Sequence, residues 1–157
     1  MARRSGRTRT VGLIVMVAGV VFAVAGVVTW FVVADQLAAE NITVSEDADF
    51  LAGSDVNGPF AAYAQAQVIN KHALEETEGK TYAELERDDP ARQTAMQASF
   101  LRSSLFTSVV AFGVAALATV LGVLLVLIGW ALRDPGSGPG PGSGGDGAQG
   151  DVTPNIR

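Results

Sequence analysis

Two blocks of this chain, Val11 to Val33 and Leu105 to Leu132, contain no ionisable side chain. A helix of a soluble domain keeps a wet face and therefore spaces its apolar residues periodically. Unbroken apolar runs above ~18 residues read instead as membrane spans. As a helix the first block would run ~34 Å at ~1.5 Å per residue, enough for a ~30 Å hydrocarbon core. The second is longer, so it must tilt or protrude. Each Val, Ile, Leu and Phe near the middle favours insertion by roughly 0.3–0.6 kcal/mol. Trp30 and Trp130 lie near span ends, where an indole ring sits well at headgroup level.

The charges orient the spans. Arg3, Arg4, Arg7 and Arg9 precede the first block with no acid among them, and Arg133 follows the second. Basic residues flanking spans stay in the cytoplasm, so both ends of the chain are placed there. Arg102, at the other end of the second block, argues weakly the other way. A secretory signal is the rival reading of the first block, with Ala34, Ala38 and Ala39 as small residues for a cleavage site. Its apolar stretch is well above the ~7–15 residues of a signal core, which favours an uncleaved anchor.

The expected architecture is an all-α membrane protein: an antiparallel two-helix transmembrane hairpin with a small, mostly helical extracytoplasmic cap and a disordered C-terminal tail. Its parts are a basic cytoplasmic N-terminus (1–10), a first span (11–33), an acidic extracytoplasmic loop or cap (34–102), a second span (103–132) and a Gly/Pro-rich cytoplasmic tail (133–157). The tail cannot bury a core.

Lipid tails are as apolar as leucine, so spans associate where small residues let backbones approach. In the second block Ser108, Ala111, Ala115, Ala118, Gly122 and Gly129 recur at steps of three and four, interrupted by Leu125. In the first, Gly12, Gly19 and Gly26 repeat every seven residues, and Gly19 with Ala23 forms a small-xxx-small pair. Two stripes of one period suit a close antiparallel hairpin with left-handed crossing. The partner of the second stripe is the other span, a second copy or a different protein.

Between the blocks, Asn41 to Ser45 suits one short strand and Val56-Asn57-Gly58-Pro59 a turn. A helix is expected from Phe60 to about Glu78, closed by Gly79, with Phe60, Tyr63, Ala64, Val68 and Leu74 as a modest apolar face. Thr81 and Glu84 match a capping box for a further helix. Asp88-Asp89-Pro90 reads as the start of one running through Met96 and Phe100 into the second block.

Chemistry is sparse. The chain has no cysteine, which excludes disulfides, thiolate-ligated metals and thiol catalysis. His72 is the single histidine; Glu75 and Glu76 share its helical face, a pattern that suits a solvated surface better than a metal. The acids Glu46, Asp47, Asp49 and Asp55 do not match a calcium loop. Neither a G-x-S-x-G element nor a phosphate-binding glycine loop is present. No basic cluster suits nucleic acid. Neither block carries the charged groups that mark proton relays and ion paths.

Several segments carry a resemblance: Val56-Asn57-Gly58-Pro59-Phe60, Ile69-Asn70-Lys71-His72-Ala73-Leu74, Gly79-Lys80-Thr81-Tyr82-Ala83-Glu84-Leu85, and Ala98 to Phe106 running into Val109-Val110-Ala111-Phe112-Gly113. Together with the two blocks they resemble small two-span membrane proteins of actinobacteria often labelled aromatic ring-opening dioxygenase, over roughly Val11 to Leu132. The resemblance implies a recurring envelope protein. Extradiol enzymes of that label hold iron with two histidines and a carboxylate; this sequence has one histidine, so no catalytic residue carries over.

The function expected from these features is that of a non-enzymatic accessory or structural component of a cell-envelope membrane complex, without a cofactor. Its partners would be the bilayer and a membrane protein or a second copy. An extracytoplasmic sensor or ligand-binding module is the alternative, and an oxygenase component a third. Phe60, Tyr63 and Tyr82 are candidate contact residues on the cap.

Overall fold

The computed structural model describes residues 2–133, with side chains from residue 6 onward. The tail expected over 133–157 falls, from residue 134, outside the described residues. The described chain is all-helical: α1 (Ala2–Ala39), α2 (Pro59–Glu76) and α3 (Arg92–Arg133). No strand occurs among the described residues. Two of these helices, α1 and α3, are long and apolar enough to cross a membrane. At ~1.5 Å per residue they run about 57 and 63 Å, roughly twice a hydrocarbon core.

The helix ends follow local chemistry. Asn41, at φ 52°, turns the chain out of α1, and its side-chain amide donates to the Ala39 carbonyl at 3.0 Å. Pro59 opens α2, where its missing N–H is no loss. At the other end of α2 the Gly79 N–H reaches back to the Leu74 carbonyl at 2.7 Å, closing a Schellman-type turn. The left-handed residue that this turn needs first is Glu78, at φ 54°, followed by Gly79 at φ 82°. The turn therefore begins one residue before the glycine expected to make it.

Two expected elements are reduced. The strand over Asn41 to Ser45 is only an isolated bridge between Thr43 and Asp55. A two-stranded fragment is marginal alone, and this one is held by burial of Val44 and Val56, each 1% exposed. The helix after Thr81 is only a turn, although the Thr81 N–H does donate to Glu84 Oε2 at 2.8 Å. Pro90 and the acids Glu86, Asp88 and Asp89 oppose its extension, since acids disfavour a helix C-terminus. The turn is instead tied to α3, because Arg92 donates to the Leu85 carbonyl at 2.6 Å and stacks over Tyr82 at 4.2 Å. Asp89 Oδ1 accepts from the Ala91 N–H at 2.8 Å, and α3 then runs unbroken for 42 residues.

α1 and α3 pack antiparallel along their length, and α2 packs on α3. Residues 40–91 form a cap at the end of the hairpin where α1 finishes and α3 begins. Its core joins Val44 and Val56 to Ala61, Ala62, Ala64 and Ala66 of α2 and to Leu105 of α3, with Leu37, Phe106 and Val109 packed against them. Methyl side chains let α2 approach α3 closely, as small residues do between helices generally. Burying each valine contributes at most about 1.5–3 kcal/mol.

Candidate functional site

The long helices meet along a glycine seam in one register. A Cβ on Gly12 would lie 2.8 Å from the Gly129 carbonyl oxygen, and one on Gly129 2.6 Å from that of Gly12. Gly19 and Gly122 repeat the relation at 2.6 Å in both directions. A Cβ on Gly26 would meet the Ala115 carbonyl oxygen at 2.5 Å. Each seven-residue step along α1 is thus matched by one of seven back along α3. Large residues enter where a glycine faces them: Leu125 against Gly19, and Leu132 and Arg133 against Gly12.

The structure distributes the proposed packing residues unevenly. Gly12, Gly19, Gly26, Ala115, Gly122 and Gly129 are buried in the seam; Ala23 is half-buried, with its backbone against Gly122. Ser108, Ala111 and Ala118 are half-buried at the margin. Beyond Ala115 the seam is filled by Phe112, 1% exposed, with Trp30 edge-on to it at 4.8 Å between ring centres. Thr119, facing Gly26, and Phe112 escape a search for small residues; Phe112 stands out only as an aromatic three residues before Ala115.

The antiparallel packing brings Arg7, Arg9 and Arg133 to one end of the hairpin, all exposed. Arg133 also donates towards Met16 Sδ at 3.8 Å. Arg3 and Arg4 belong to the same helix end, their side chains lying outside the described set. Arg102 is at the cap end, where it donates to Asn70 Oδ1 at 2.9 Å and lies over Phe106.

On the cap, His72 pairs with Asp47 rather than with Glu75 or Glu76: Nε2 is 2.8 Å from Asp47 Oδ2, and Lys71 Nζ is 3.1 Å from the same oxygen. Hydrogen bonds from His72 first, then from Lys71, hold the Asp47 carboxyl below the usual aspartate range. The bond to Asp47 raises Lys71 in turn. Among the described residues no three His, Asp or Glu side chains converge in a group able to hold a metal ion. The donors do not fit the iron site that the dioxygenase resemblance implies.

A groove of about 690 Å³ opens beside this ion pair. Phe50 and Tyr63 stack along it at 6.3 Å between centres, and Tyr63 is set by an edge-on contact with Phe106 at 5.9 Å. Ala64, Val68 and Leu74 add apolar lining, and Asp47, Asp49, Gln67, Asn70, Lys71 and Glu75 supply the polar groups. Of the expected contact residues Tyr63 lines the groove, whereas Phe50 and the acids Asp47 and Asp49 reach it only through the fold of the loop. Tyr82 lies elsewhere, under Arg92, and Phe60 is fully outside at 75% exposed.

No protein-family model matches the chain, and no curated protein or solved structure is significantly similar to it.

Proposed function

We propose that this chain is a two-span protein of the cytoplasmic membrane, with both helix ends that carry arginines in the cytoplasm and the cap outside, serving as an accessory component of a larger membrane complex. The gathering of Arg7, Arg9 and Arg133 at one end supports this orientation, because basic flanks are retained in the cytoplasm. Spans without ionisable groups, locked to each other by glycines, suit an anchor rather than a path for ions.

The observation that carries the accessory reading is the exposure of large aromatics outside the apolar blocks, Phe60 at 75% and Phe100 at 68%. Aromatic side chains left uncovered on the cap and on the adjoining start of α3 suit a protein contact, where they supply much of the binding energy. Purification from native membranes in gentle detergent, with crosslinking and mass spectrometry, tests it. A stoichiometric partner, crosslinked near Phe60 or Phe100 and lost on their replacement by alanine, is expected. A lone monomer or homodimer in that preparation contradicts it.

The groove beside Asp47 favours a second reading, that the cap is an extracytoplasmic ligand-binding module.

A further inference from the structure

We infer that the groove lined by Phe50 and Tyr63 binds a carbohydrate, a short glycan segment of neutral sugar rings. The inference rests on the ligand-binding reading of the cap. Its volume of about 690 Å³ falls in the range of small-molecule sites, and its polar groups surround an aromatic wall.

Each part matches the chemistry of a sugar ring. Phe50 and Tyr63 stack on each other while leaving 42% and 41% of their surface exposed. The negative face of an aromatic ring attracts the weakly positive C–H face of a pyranose, and the apolar ring area gains by losing water. The side chains at the rim suit the other face of a sugar. Asp49 and Glu75 accept hydrogen bonds, Lys71 donates, and Gln67 and Asn70 do both, as neighbouring hydroxyls require. Tyr63 is held by Phe106, and Lys71 by Asp47, so part of the wall and rim is already in place before a ligand arrives.

The charges narrow the class. Asp47, Asp49 and Glu75 face a single Lys71 in the groove, an excess of negative charge that disfavours phosphorylated or carboxylated ligands. A small organic cation would satisfy the carboxylates of Asp49 and Glu75, but it would leave the donor groups of Lys71, Gln67 and Asn70 without acceptors, which sugar hydroxyls supply.

Purified full-length protein in detergent, titrated with neutral pyranose trisaccharides of glucose, galactose and N-acetylglucosamine, tests the inference by saturation-transfer NMR and calorimetry. Binding of a cation in place of a sugar would sink the inference while keeping the ligand-binding reading, so the two fail separately. At least one trisaccharide should bind, with Phe50→Ala and Gln67→Ala each weakening it by about tenfold, on the order of one stacking or hydrogen-bonding contact. Both variants should retain the thermal unfolding midpoint of the parent, since the side chains are partly exposed. No binding of any trisaccharide at tens of millimolar overturns the inference. So does binding of tetramethylammonium or spermidine without a sugar, or sugar binding that neither variant weakens.

Discussion

Gly19 and Gly122 each stand where the other's carbonyl oxygen would touch a side chain, at 2.6 Å in both directions. Neither helix can gain even a methyl group there without moving its neighbour's backbone. Gly122→Ala should therefore destabilise the hairpin by about 1–3 kcal/mol, as overpacking of a closed interface does. Gly113 on the same helix has nothing within 4 Å of its would-be Cβ, so Gly113→Ala should be neutral or stabilise by up to about 1 kcal/mol. Thermal unfolding of both variants in one detergent measures the difference.

Trp30 and Phe112 end the glycine seam at the cap side with an edge-on contact of 4.8 Å. In a double-mutant cycle to leucine the pair should show a coupling of about 0.5–1.5 kcal/mol. Phe112→Leu should also change the fluorescence of Trp30, read in a Trp130→Phe background. An unchanged spectrum would place the ring away from Phe112.

The apolar blocks and the seven-residue spacing of Gly12, Gly19 and Gly26 are visible in the sequence because helix periodicity and hydrophobicity are local properties. The helices run beyond those blocks, to Ala2–Ala39 and Arg92–Arg133, and the spacing left the partner of the second stripe open until the fold set it against the first. His72 is different: its partner Asp47 is 25 residues away, across a loop whose path depends on Val44 and Val56 being buried together. The local rule supplied Glu75 and Glu76, which share its helical face but not its bond. The same limit hid Phe50, which lines the groove only because residues 45–54 fold back on α2. At Thr81 the local rule did identify a real hydrogen bond to Glu84, yet a cap does not make a helix where Pro90 follows so soon.

Glu78 holds a left-handed conformation at φ 54° that glycine or asparagine adopts with less strain. Glu78→Gly should stabilise the cap by about 0.5–1 kcal/mol despite the freedom glycine adds to the unfolded chain. Gly79→Ala, at φ 82°, should destabilise it by about 1 kcal/mol. Hydrogen exchange of the α2 amides, which lie next to the turn, reports both.

Asp47 and Glu84 both have carboxyls held below their ordinary range, Asp47 by hydrogen bonds from His72 and Lys71, Glu84 by the Thr81 backbone and hydroxyl. A carboxyl depressed by folding contributes stability above its unfolded pKa, and that contribution is lost as pH falls through the folded value. The cap should thus weaken under acid conditions, below the ordinary carboxylate range, while the hairpin holds. Lys71 has the opposite sign: raised by Asp47, it contributes below the ordinary lysine value and loses that contribution as pH rises through the higher folded one. Asp47→Asn should flatten both limbs of the pH profile of cap stability, followed by amide exchange. Identical profiles for variant and parent would remove Asp47 from this role.

The chain lacks cysteine, so single cysteines report their own position without background. Arg7→Cys and Gln67→Cys, each in the full chain in intact cells, are to be treated with a membrane-impermeant maleimide before and after permeabilisation. The expected result is labelling of position 67 in intact cells and of position 7 only after permeabilisation, with both proteins retained in the membrane through an alkaline wash. Labelling of position 7 in intact cells, protection of position 67, or release of the protein by the wash would contradict a two-span protein with its cap outside.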